Sequence, residues 1–359
     1  MSVVVTGATG FLGLRLVREL LEHTPSLTVL ARPGPRSAVE RITTFLRWSG
    51  LPEEELRRVP QRLEVIDADL RLPLLGLSRS AFDRLADRVD VLWHCAADIT
   101  YAPGRGEVDA TNVGGTRRVL DLLSAGGRRP ALCYASSIGV AGAQRDGIVP
   151  ARRLDGSHGF HTPYERSKFE AEGLVLDWAE RHGHPVTVFR LSVLVTDRAG
   201  YPGWPEHPLR YAAHAVRTML REVPQVMAAD GSMTLHEVAE DARCNLLPVE
   251  HAARAMVGAA HLGGTPGPPR IHHVVHPLGV AATDVASALC EHVGVRVRTT
   301  AAPADAISEA ERTAHAIIGA YLPWLKVSRG YEESGLAALG LSYTDRPGID
   351  RDYLMASLR

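Results

Sequence analysis

A short apolar run followed at once by a glycine-rich turn constrains the fold of this chain most strongly. Residues 3–5 are consecutive valines, and Gly7, Gly10 and Gly13 follow at a regular spacing. An apolar run of this kind is typical of a strand that is buried on both faces in a parallel sheet. Apolar residues from Phe11 onward repeat at helical spacing, which predicts an amphipathic helix. The pattern therefore predicts strand, glycine turn and helix in succession.

This turn is a candidate anion site. Its backbone N–H groups and the positive end of the helix point to the place where a pyrophosphate would bind. Gly7 permits the tight turn, Gly10 permits close approach of the backbone, and Gly13 permits packing of helix on strand. We therefore predict that a dinucleotide binds here. The predicted contact residues are Gly7, Thr9, Gly10, Phe11, Leu12 and Gly13.

The end of the second predicted strand bears on which dinucleotide binds. Ala31 and Arg32 stand where an NAD-binding protein usually carries an acidic residue for the ribose hydroxyls, and Arg36 and Arg41 follow. A carboxylate would repel a 2′-phosphate, whereas a guanidinium can bind it through paired hydrogen bonds. The sequence therefore favours NADPH as the cofactor, with Arg32 as the phosphate ligand. The alternative is that Arg32 only caps a surface loop.

Two further strand ends are predicted to contact the nucleotide. The third strand ends in Asp69 and Leu70, and the Asp69 carboxylate is a candidate partner of the adenine amino group. A simple helix-capping role for Asp69 is the alternative. The fourth strand ends in Ala96 and Ala97, whose small side chains would let a ribose approach the backbone.

Other polar residues are assigned structural roles. His94 is predicted to be a packed, hydrogen-bonded strand histidine, and Asn112 a polar clamp between neighbouring loops. In the run His272, His273 and His276, the first two would point to opposite faces of a strand. The run also lacks a nearby cysteine or acidic ligand, so no metal site is predicted.

A candidate catalytic group combines Ser137, Tyr164 and Lys168. Tyr164 and Lys168 are four residues apart on a predicted helix, which places them on one face about a turn apart. A lysine ammonium and an oxidised nicotinamide would favour the phenolate and bring the tyrosine pKa down from about 10. Lys168 could also bind the nicotinamide ribose, and Ser137, after the fifth strand, could donate to a carbonyl oxygen. This arrangement is typical of proton transfer to a carbonyl group.

The order of elements predicts an α/β fold. Strands alternate with helices as far as residue 198, which indicates a Rossmann-type, doubly wound parallel sheet. Residues 1–198 are assigned to the NADP-binding domain, with 245–285 returning to it. Residues 199–244 and 286–359 are assigned to a smaller, mostly helical C-terminal lobe that binds substrate.

Composition excludes several classes of partner. The 359 residues carry a formal net charge of −1, so no overall field attracts the chain to nucleic acid or anionic lipid. No apolar run approaches the length of a membrane span, and no secretory leader is evident. The four cysteines are scattered, which is typical of reduced thiols in a cytoplasmic protein. The sequence does not determine the oligomeric state.

The motifs together resemble those of the extended short-chain dehydrogenases/reductases, and more narrowly the thioester reductase and fatty acyl-CoA reductase branch. The resemblance covers residues 1 to about 260. The matching segments are residues 6–13, 30–32, 69–70, 94–97, 112–116, 164–168 and 245–249. Two departures concern the substrate: Leu191 replaces a common proline, and His161-Thr162-Pro163 is unusual before the tyrosine.

The resemblance implies a Ser137–Tyr164–Lys168 triad and NADPH-driven reduction of an acyl thioester to an aldehyde or alcohol. Many relatives are fused to an acyl-activating domain and a carrier domain, so we expect this chain to receive its acyl group on CoA or a separate carrier protein. The alternative substrate is a free ketone or alcohol of a sugar nucleotide, sterol or polyketide-type product. A further alternative is a non-enzymatic NADP(H) sensor, which would have no need of Tyr164 and Lys168 together.

Overall fold

The computed structural model describes residues 1–99, 107–261, 267–301, 308–333, 335–343 and 348–359. Its strands are β1 Val3–Thr6, β2 Leu27–Ala31, β3 Leu63–Asp67, β4 Val91–His94, β5 Ala131–Ser137, β6 Ile148–Val149, β7 Val186–Leu191, β8 Val193–Val195, β9 Ser232–Leu235, β10 Arg243–Cys244, β11 Leu246–Pro248, β12 Arg270–Val274, β13 Val280–Ala281, β14 Arg296–Thr299 and β15 Gly330–Tyr331. Its α-helices are α1 Phe11–His23, α2 Ala38–Trp48, α3 Glu53–Leu56, α4 Val59–Arg62, α5 Arg79–Ala86, α6 Glu107–Asp109, α7 Gly115–Ala125, α8 Pro163–His182, α9 Pro208–Glu222, α10 Val249–His261, α11 Ala282–His292, α12 Glu309–Ile318 and α13 Arg351–Leu358.

Seven parallel strands form the central sheet, in the order β12-β7-β5-β4-β1-β2-β3. The chain runs outward from β1 to β3 on one side and from β4 to β12 on the other. The order therefore reverses between β1 and β4, and the crevice at the carboxyl ends of these two strands is where such sheets bind ligands. The predicted doubly wound parallel sheet is confirmed, including the return of residues 270–274 to its edge.

Helices cover both faces of this sheet. One apolar core joins α1, α2 and α10 to the sheet, and a second lies under α5, α7 and α8. All four residues of β1 are buried, as are all six of β7, because the sheet is covered on both sides. Leu336 and Tyr343, from the C-terminal part of the chain, also pack into the first of these cores.

A further core lies in the C-terminal lobe, away from the sheet. It is formed by apolar residues of α9, α11, α12 and α13 together with β9 and β10. Helix α11 belongs to this core from Ala282 onward. Among the described residues, no helix is both long enough and apolar enough to cross a bilayer.

The segment that enters this lobe is anchored on the first helix. The guanidinium of Arg15, 2% exposed, lies 4.5 Å from the ring centre of Phe11 and 4.4 Å from that of Trp204. It also pairs with Glu250 at 3.3 Å. Cation–π contact and an ion pair together offset the cost of burying this charge. The segment before α9 is thereby held beside the glycine turn.

Candidate active site

The glycine turn forms a cradle from which side chains are excluded. Gly7 has a φ of +71°, and a Cβ added there would lie 2.5 Å from the Ala96 nitrogen. A Cβ on Gly13 would lie 2.0 Å from the Gly7 oxygen. Gly10 is the N-cap of α1 and provides no side-chain cap, so the first N–H groups of the helix remain for a ligand. These residues fit the pyrophosphate of a dinucleotide.

A cavity of ≈ 370 Å³ opens beside this cradle. The predicted site residues on its lining are Gly7, Gly10, Phe11, Leu12, Gly13, Ala97, Ser137, Tyr164 and Lys168. Residues of the C-terminal lobe, including Tyr211, Cys244 and Trp324, line the same cavity. The structure thus brings the glycine cradle, the predicted catalytic group and the C-terminal lobe to one cleft.

Ser137 is placed by the transition from β5 into a 3-10 helix. Its Oγ accepts a hydrogen bond from the Gly139 N–H at 3.0 Å and caps that helix. The Ser137 side chain also hydrogen-bonds that of Tyr164. The Ser137 hydroxyl has one proton, which can be donated to the Tyr164 oxygen or to the oxygen of a bound carbonyl group.

Tyr164 lies in the first turn of α8, which explains the unusual residues that precede it. Thr162 is the N-cap and forms a capping box with Glu165, while Pro163 occupies the first turn without losing a needed N–H. His161 adds a backbone N–H donated to Glu165 at 2.7 Å. Residues 161–163 therefore fix the helix start that aims Tyr164 into the cavity.

Lys168 is held by the strand beside it. Its Nζ donates to the Ala135 oxygen at 2.6 Å and to the Tyr134 Oη at 3.3 Å, and it lies 4.7 Å from the Tyr134 ring centre. These two hydrogen bonds use two of the three ammonium protons. Tyr134 is not among the predicted site residues, because a tyrosine within an apolar strand has the pattern of an ordinary core residue.

The pKa of Tyr164 is shifted in the direction opposite to the predicted one. Burial raises the pKa of Tyr164 to about 12, and the hydrogen bond from Ser137 lowers it only in part. Burial lowers the pKa of Lys168 to about 8, while the nearby Cys95 and Glu172 act to raise it. The prediction that the protein would favour the phenolate is therefore wrong for the protein's own groups. Desolvation of the phenol outweighs the hydrogen bond with Ser137.

These pKa values predict how activity depends on pH. If catalysis needs the Lys168 ammonium, kcat/KM should fall about tenfold per pH unit above its pKa of about 8. Tyr164, with a pKa of about 12, keeps its proton throughout that range. A kcat/KM profile from about pH 6 to about pH 10 checks this. A profile that stays flat to the alkaline end would contradict it.

A buried charge network lies one turn beyond Lys168 on α8. The Glu172 carboxylate accepts from the Arg190 Nη2 at 2.7 Å and from the Ser136 Oγ at 2.5 Å. Arg190, fully buried on β7, also donates to the Pro150 oxygen at 2.8 Å. The network joins α8, β5 and β7 directly behind Ser137, so it fixes the strand end relative to the helix that carries Tyr164 and Lys168.

Removal of one partner tests this network. Glu172→Gln leaves the buried Arg190 guanidinium without its counter-ion, so we expect the free energy of unfolding to fall by about 3 kcal/mol. Urea unfolding followed by circular dichroism measures the change. The control is Glu170→Gln on the same helix, where the carboxylate is exposed and the expected loss is below about 1 kcal/mol. Equal stability of the two variants would show that the network does not hold the strand end.

The two structural polar roles predicted nearby are confirmed. His94, 2% exposed, bonds Thr6 Oγ1 at 2.7 Å and Thr116 Oγ1 at 3.1 Å. Asn112 clamps the loop after β4: it accepts from the Asp98 N–H at 2.8 Å and donates to the Ser167 Oγ at 2.9 Å. Burial lowers the pKa of His94 to about 3, so this histidine stays neutral.

Several predicted nucleotide contacts lie outside the cavity lining. These residues are Thr9, Arg32, Asp69, Leu70 and Ala96. Arg32 is exposed at the end of β2, while Arg41 donates to the Thr9 oxygen at 3.0 Å. The Asp69 carboxylate pairs with Arg71 at 2.7 Å, and this contact lowers the pKa of Asp69 to about 2. Asp69 thus carries a full negative charge beside Arg71.

One cavity residue had no sequence signal at all. Arg329 donates to the Gly142 oxygen at 2.7 Å and the Gln144 oxygen at 2.8 Å, and it contacts Tyr331 Oη at 3.2 Å. It fixes the loop that follows Ser137 from a position 192 residues further along the chain (329 − 137). Among the described residues, no three His, Cys, Asp or Glu side chains are placed to hold a metal ion.

The sheet, the cradle and the cleft define a nucleotide-binding protein of the extended short-chain dehydrogenase/reductase class. The chain belongs to the male sterility protein family, whose NAD-binding model matches residues 5–256. The resemblance inferred from the motifs is thus confirmed, and so is a nicotinamide dinucleotide as the kind of cofactor this family binds.

Two curated relatives are larger reductases. The chain is 35% identical over 214 residues to glycine betaine reductase of Emericella nidulans, covering 54% of this chain and 16% of that protein. It is 31% identical over 298 residues to carboxylic acid reductase of Mycobacterium tuberculosis, covering 77% of this chain and 24% of that protein. The chain therefore spans less than a quarter of either relative.

A solved structure is similar along nearly the whole chain. The terminal R domain of the myxalamid PKS-NRPS biosynthetic pathway matches 99% of this chain and 89% of that one, with a TM-score of 0.75 and 26% identity. A UDP-galactose 4-epimerase, at 19% identity and a TM-score of 0.63, shares the fold alone.

Proposed function

We propose that this protein is an NADPH-dependent reductase that converts an acyl thioester, bound to CoA or to a carrier protein, to an aldehyde or alcohol. The observation that carries the proposal is the single cleft shared by the glycine cradle, by Ser137, Tyr164 and Lys168, and by the C-terminal lobe. The similarity to a terminal R domain and to a carboxylic acid reductase supports the thioester as substrate.

Each of the three residues has a proposed role at the thioester carbonyl. NADPH, when bound, supplies the hydride to the carbonyl carbon. Ser137 donates a hydrogen bond from its hydroxyl to the oxygen as negative charge develops there. Tyr164, kept neutral by its raised pKa, transfers its phenolic proton to the same oxygen. Lys168, held by Ala135 and Tyr134, has one N–H left to bind the nicotinamide ribose.

Loss of the thiol completes the proposed reaction. The first product is a hemithioacetal, in which the former carbonyl carbon carries both oxygen and sulfur. As the oxygen loses its proton to Tyr164 and the carbonyl forms again, the carbon–sulfur bond breaks. The sulfur leaves as thiolate and takes up a proton, and the aldehyde remains.

Thiol release distinguishes this function from the alternative of a free ketone or alcohol. A thiol reagent and NADPH absorbance followed together, over panels of acyl-CoA esters and ketones, provide the test. With acyl-CoA esters we expect one thiol for each NADPH consumed where the product is the aldehyde, and one thiol for every two NADPH where it is the alcohol. Consumption of NADPH with a ketone and without thiol release would favour the alternative substrate. If NADPH is oxidised with neither the acyl-CoA esters nor the ketones, the alternative of an NADP(H) sensor is favoured.

NADPH preference is also a proposal, and it rests on arginines beside the cradle. Arg32 is exposed at the end of β2, Arg36 donates to the Pro202 oxygen at 3.3 Å, and Arg41 bonds the glycine turn. We propose that Arg32 binds the 2′-phosphate, and that Asp69 and Leu70 lie beside the adenine.

Arg32→Ala tests the cofactor preference. We expect the KM for NADPH to rise about tenfold or more, because a charge-assisted phosphate contact is lost, while the KM for NADH changes little. Steady-state kinetics with both cofactors measure this. The control is Arg57→Ala, an exposed arginine after α3. Equal KM values for the two cofactors in the unmodified protein would contradict the preference.

The domain boundaries, the partners and the location of the protein are also proposals. We propose that residues 1–198 and 245–285 form the NADP-binding domain and that 199–244 and 286–359 form the substrate lobe, although α11 packs into the core of that lobe from Ala282 onward. We propose a small-molecule or carrier-tethered acyl partner, and no nucleic acid partner. A cytoplasmic location is proposed on the four cysteines, all of which are free thiols.

A further inference from the structure

A second, apolar chamber adjoins the active-site cavity inside the C-terminal lobe. It has a volume of ≈ 40 Å³ and lies between α9, α11 and the segment after α12. Cys244 and Trp324 line both the chamber and the active-site cavity. The Cys244 thiol donates to the Trp324 oxygen at 3.3 Å, so these two residues form the partition between the two spaces.

The walls of the chamber have few groups that could form a hydrogen bond or an ion pair with a polar ligand. Val216, Ala286 and Leu289 are among its apolar lining residues, all buried. Its titratable groups are thiols and the Tyr321 phenol, and burial raises the pKa of Cys244 and of Tyr321 to about 12. The walls therefore carry no charge. A space with so few polar partners stays dry and takes apolar groups.

We propose that this chamber binds the apolar end of the substrate's acyl group, which extends from the carbonyl beside Tyr164 to the place where Cys244 and Trp324 line both spaces. The proposal rests on the proposed function, because only an acyl substrate in the main cavity would extend there. A volume of ≈ 40 Å³ has room for only a few small groups, at about 10–15 Å³ for each group the size of a water molecule. The substrate class is thus an acyl thioester with an apolar terminus rather than a charged one.

A chain-length series tests the substrate class. Each methylene that enters the chamber should raise kcat/KM about fourfold, until the chamber is full. An ω-carboxyl group at the same position should lower kcat/KM by about a hundredfold or more. The unmodified protein is assayed with straight-chain acyl-CoA esters and with their ω-carboxyl counterparts. No dependence on length, or equal use of the ω-carboxyl esters, would overturn the proposal.

Two matched substitutions on α11 test the position of the chamber. Ala286 and Ala288 are each 2% exposed, but only Ala286 lines the chamber. Ala286→Val should lower kcat/KM about tenfold for esters long enough to fill the chamber and leave shorter ones unchanged. Ala288→Val should show no such dependence on length. Val216→Ala, which enlarges the chamber, should move the optimum to longer chains.

A binding measurement separates this proposal from the proposed function. S-alkyl-CoA thioethers cannot be reduced, so calorimetry reports their affinity whether or not the protein is a reductase. We expect affinity to rise with alkyl length, and Ala286→Val to remove that rise. Length-dependent binding without any thiol release would refute only the proposed reaction. Thiol release together with an affinity that does not depend on alkyl length would refute only the chamber. The same loss of length dependence in Ala286→Val and Ala288→Val would also refute only the chamber.

Discussion

Tyr164→Phe is expected to lower kcat by about 10³-fold while the affinity for NADPH stays within about twofold. The substitution removes only the hydroxyl, which hydrogen-bonds Ser137 in the cleft and is the proposed proton donor. The glycine cradle, which is the proposed dinucleotide site, lies between β1 and α1 and is untouched. Stopped-flow or steady-state turnover gives kcat, and fluorescence titration gives the dissociation constant for NADPH.

Tyr201→Phe is the matched control for this prediction. Tyr201 packs its ring against Trp48 and Trp204 and does not belong to the cavity lining. Loss of its hydroxyl should leave kcat within about twofold. Full activity in Tyr164→Phe would remove Tyr164 from the chemistry. A parallel loss in both variants would point to a general effect of removing a phenol.

Gly13→Ala is expected to abolish dinucleotide binding and to lower the free energy of unfolding by about 3 kcal/mol or more. The added Cβ would lie 2.0 Å from the Gly7 oxygen and 2.8 Å from the Ala8 Cα. These are backbone atoms, so the methyl group can be accommodated only if α1 moves away from the turn. That movement would open the cradle in which we propose that the pyrophosphate binds.

Gly173→Ala provides the comparison within another helix. Nothing lies within 4 Å of a Cβ added at Gly173, so alanine should stabilise α8 by up to about 1 kcal/mol. Urea unfolding and NADPH titration of both variants measure the two effects. If the Gly13→Ala variant bound NADPH with the same affinity as the Gly173→Ala variant, the close approach of backbone atoms at the turn would have no role in binding.

The sheet could be predicted from the sequence because its signals are local. Valines at 3–5, the glycine spacing and the helical repeat from Phe11 lie within a few residues of one another, and the structure has β1, the turn and α1 there. The same holds for the start of α8, where Thr162, Pro163 and Glu165 form the cap. Local capping and periodicity determine such elements before any tertiary contact forms.

The parts of the site that could not be predicted from the sequence depend on contacts between residues that are far apart along the chain. Arg329 stabilises the loop after Ser137 from the far end of the chain, and Tyr134 holds Lys168 from a neighbouring strand. The raised pKa of Tyr164 comes from burial, which only the folded structure defines. The chamber beyond Cys244 likewise forms where α9 and α11 meet, and their sequences show only ordinary apolar helix faces.

Isotope transfer tests the central claim, reductive release of a thioester, most directly. NADPH carrying deuterium at both C4 positions is incubated with the protein and an acyl-CoA ester, and the aldehyde and the CoA thiol are measured. The proposed reaction predicts an aldehyde with one deuterium on its carbonyl carbon and one CoA thiol for each NADPH oxidised, or an alcohol with two deuteriums on that carbon and one CoA thiol for every two NADPH. Oxidation of NADPH without deuterium in the aldehyde or alcohol, or without thiol release, would contradict it.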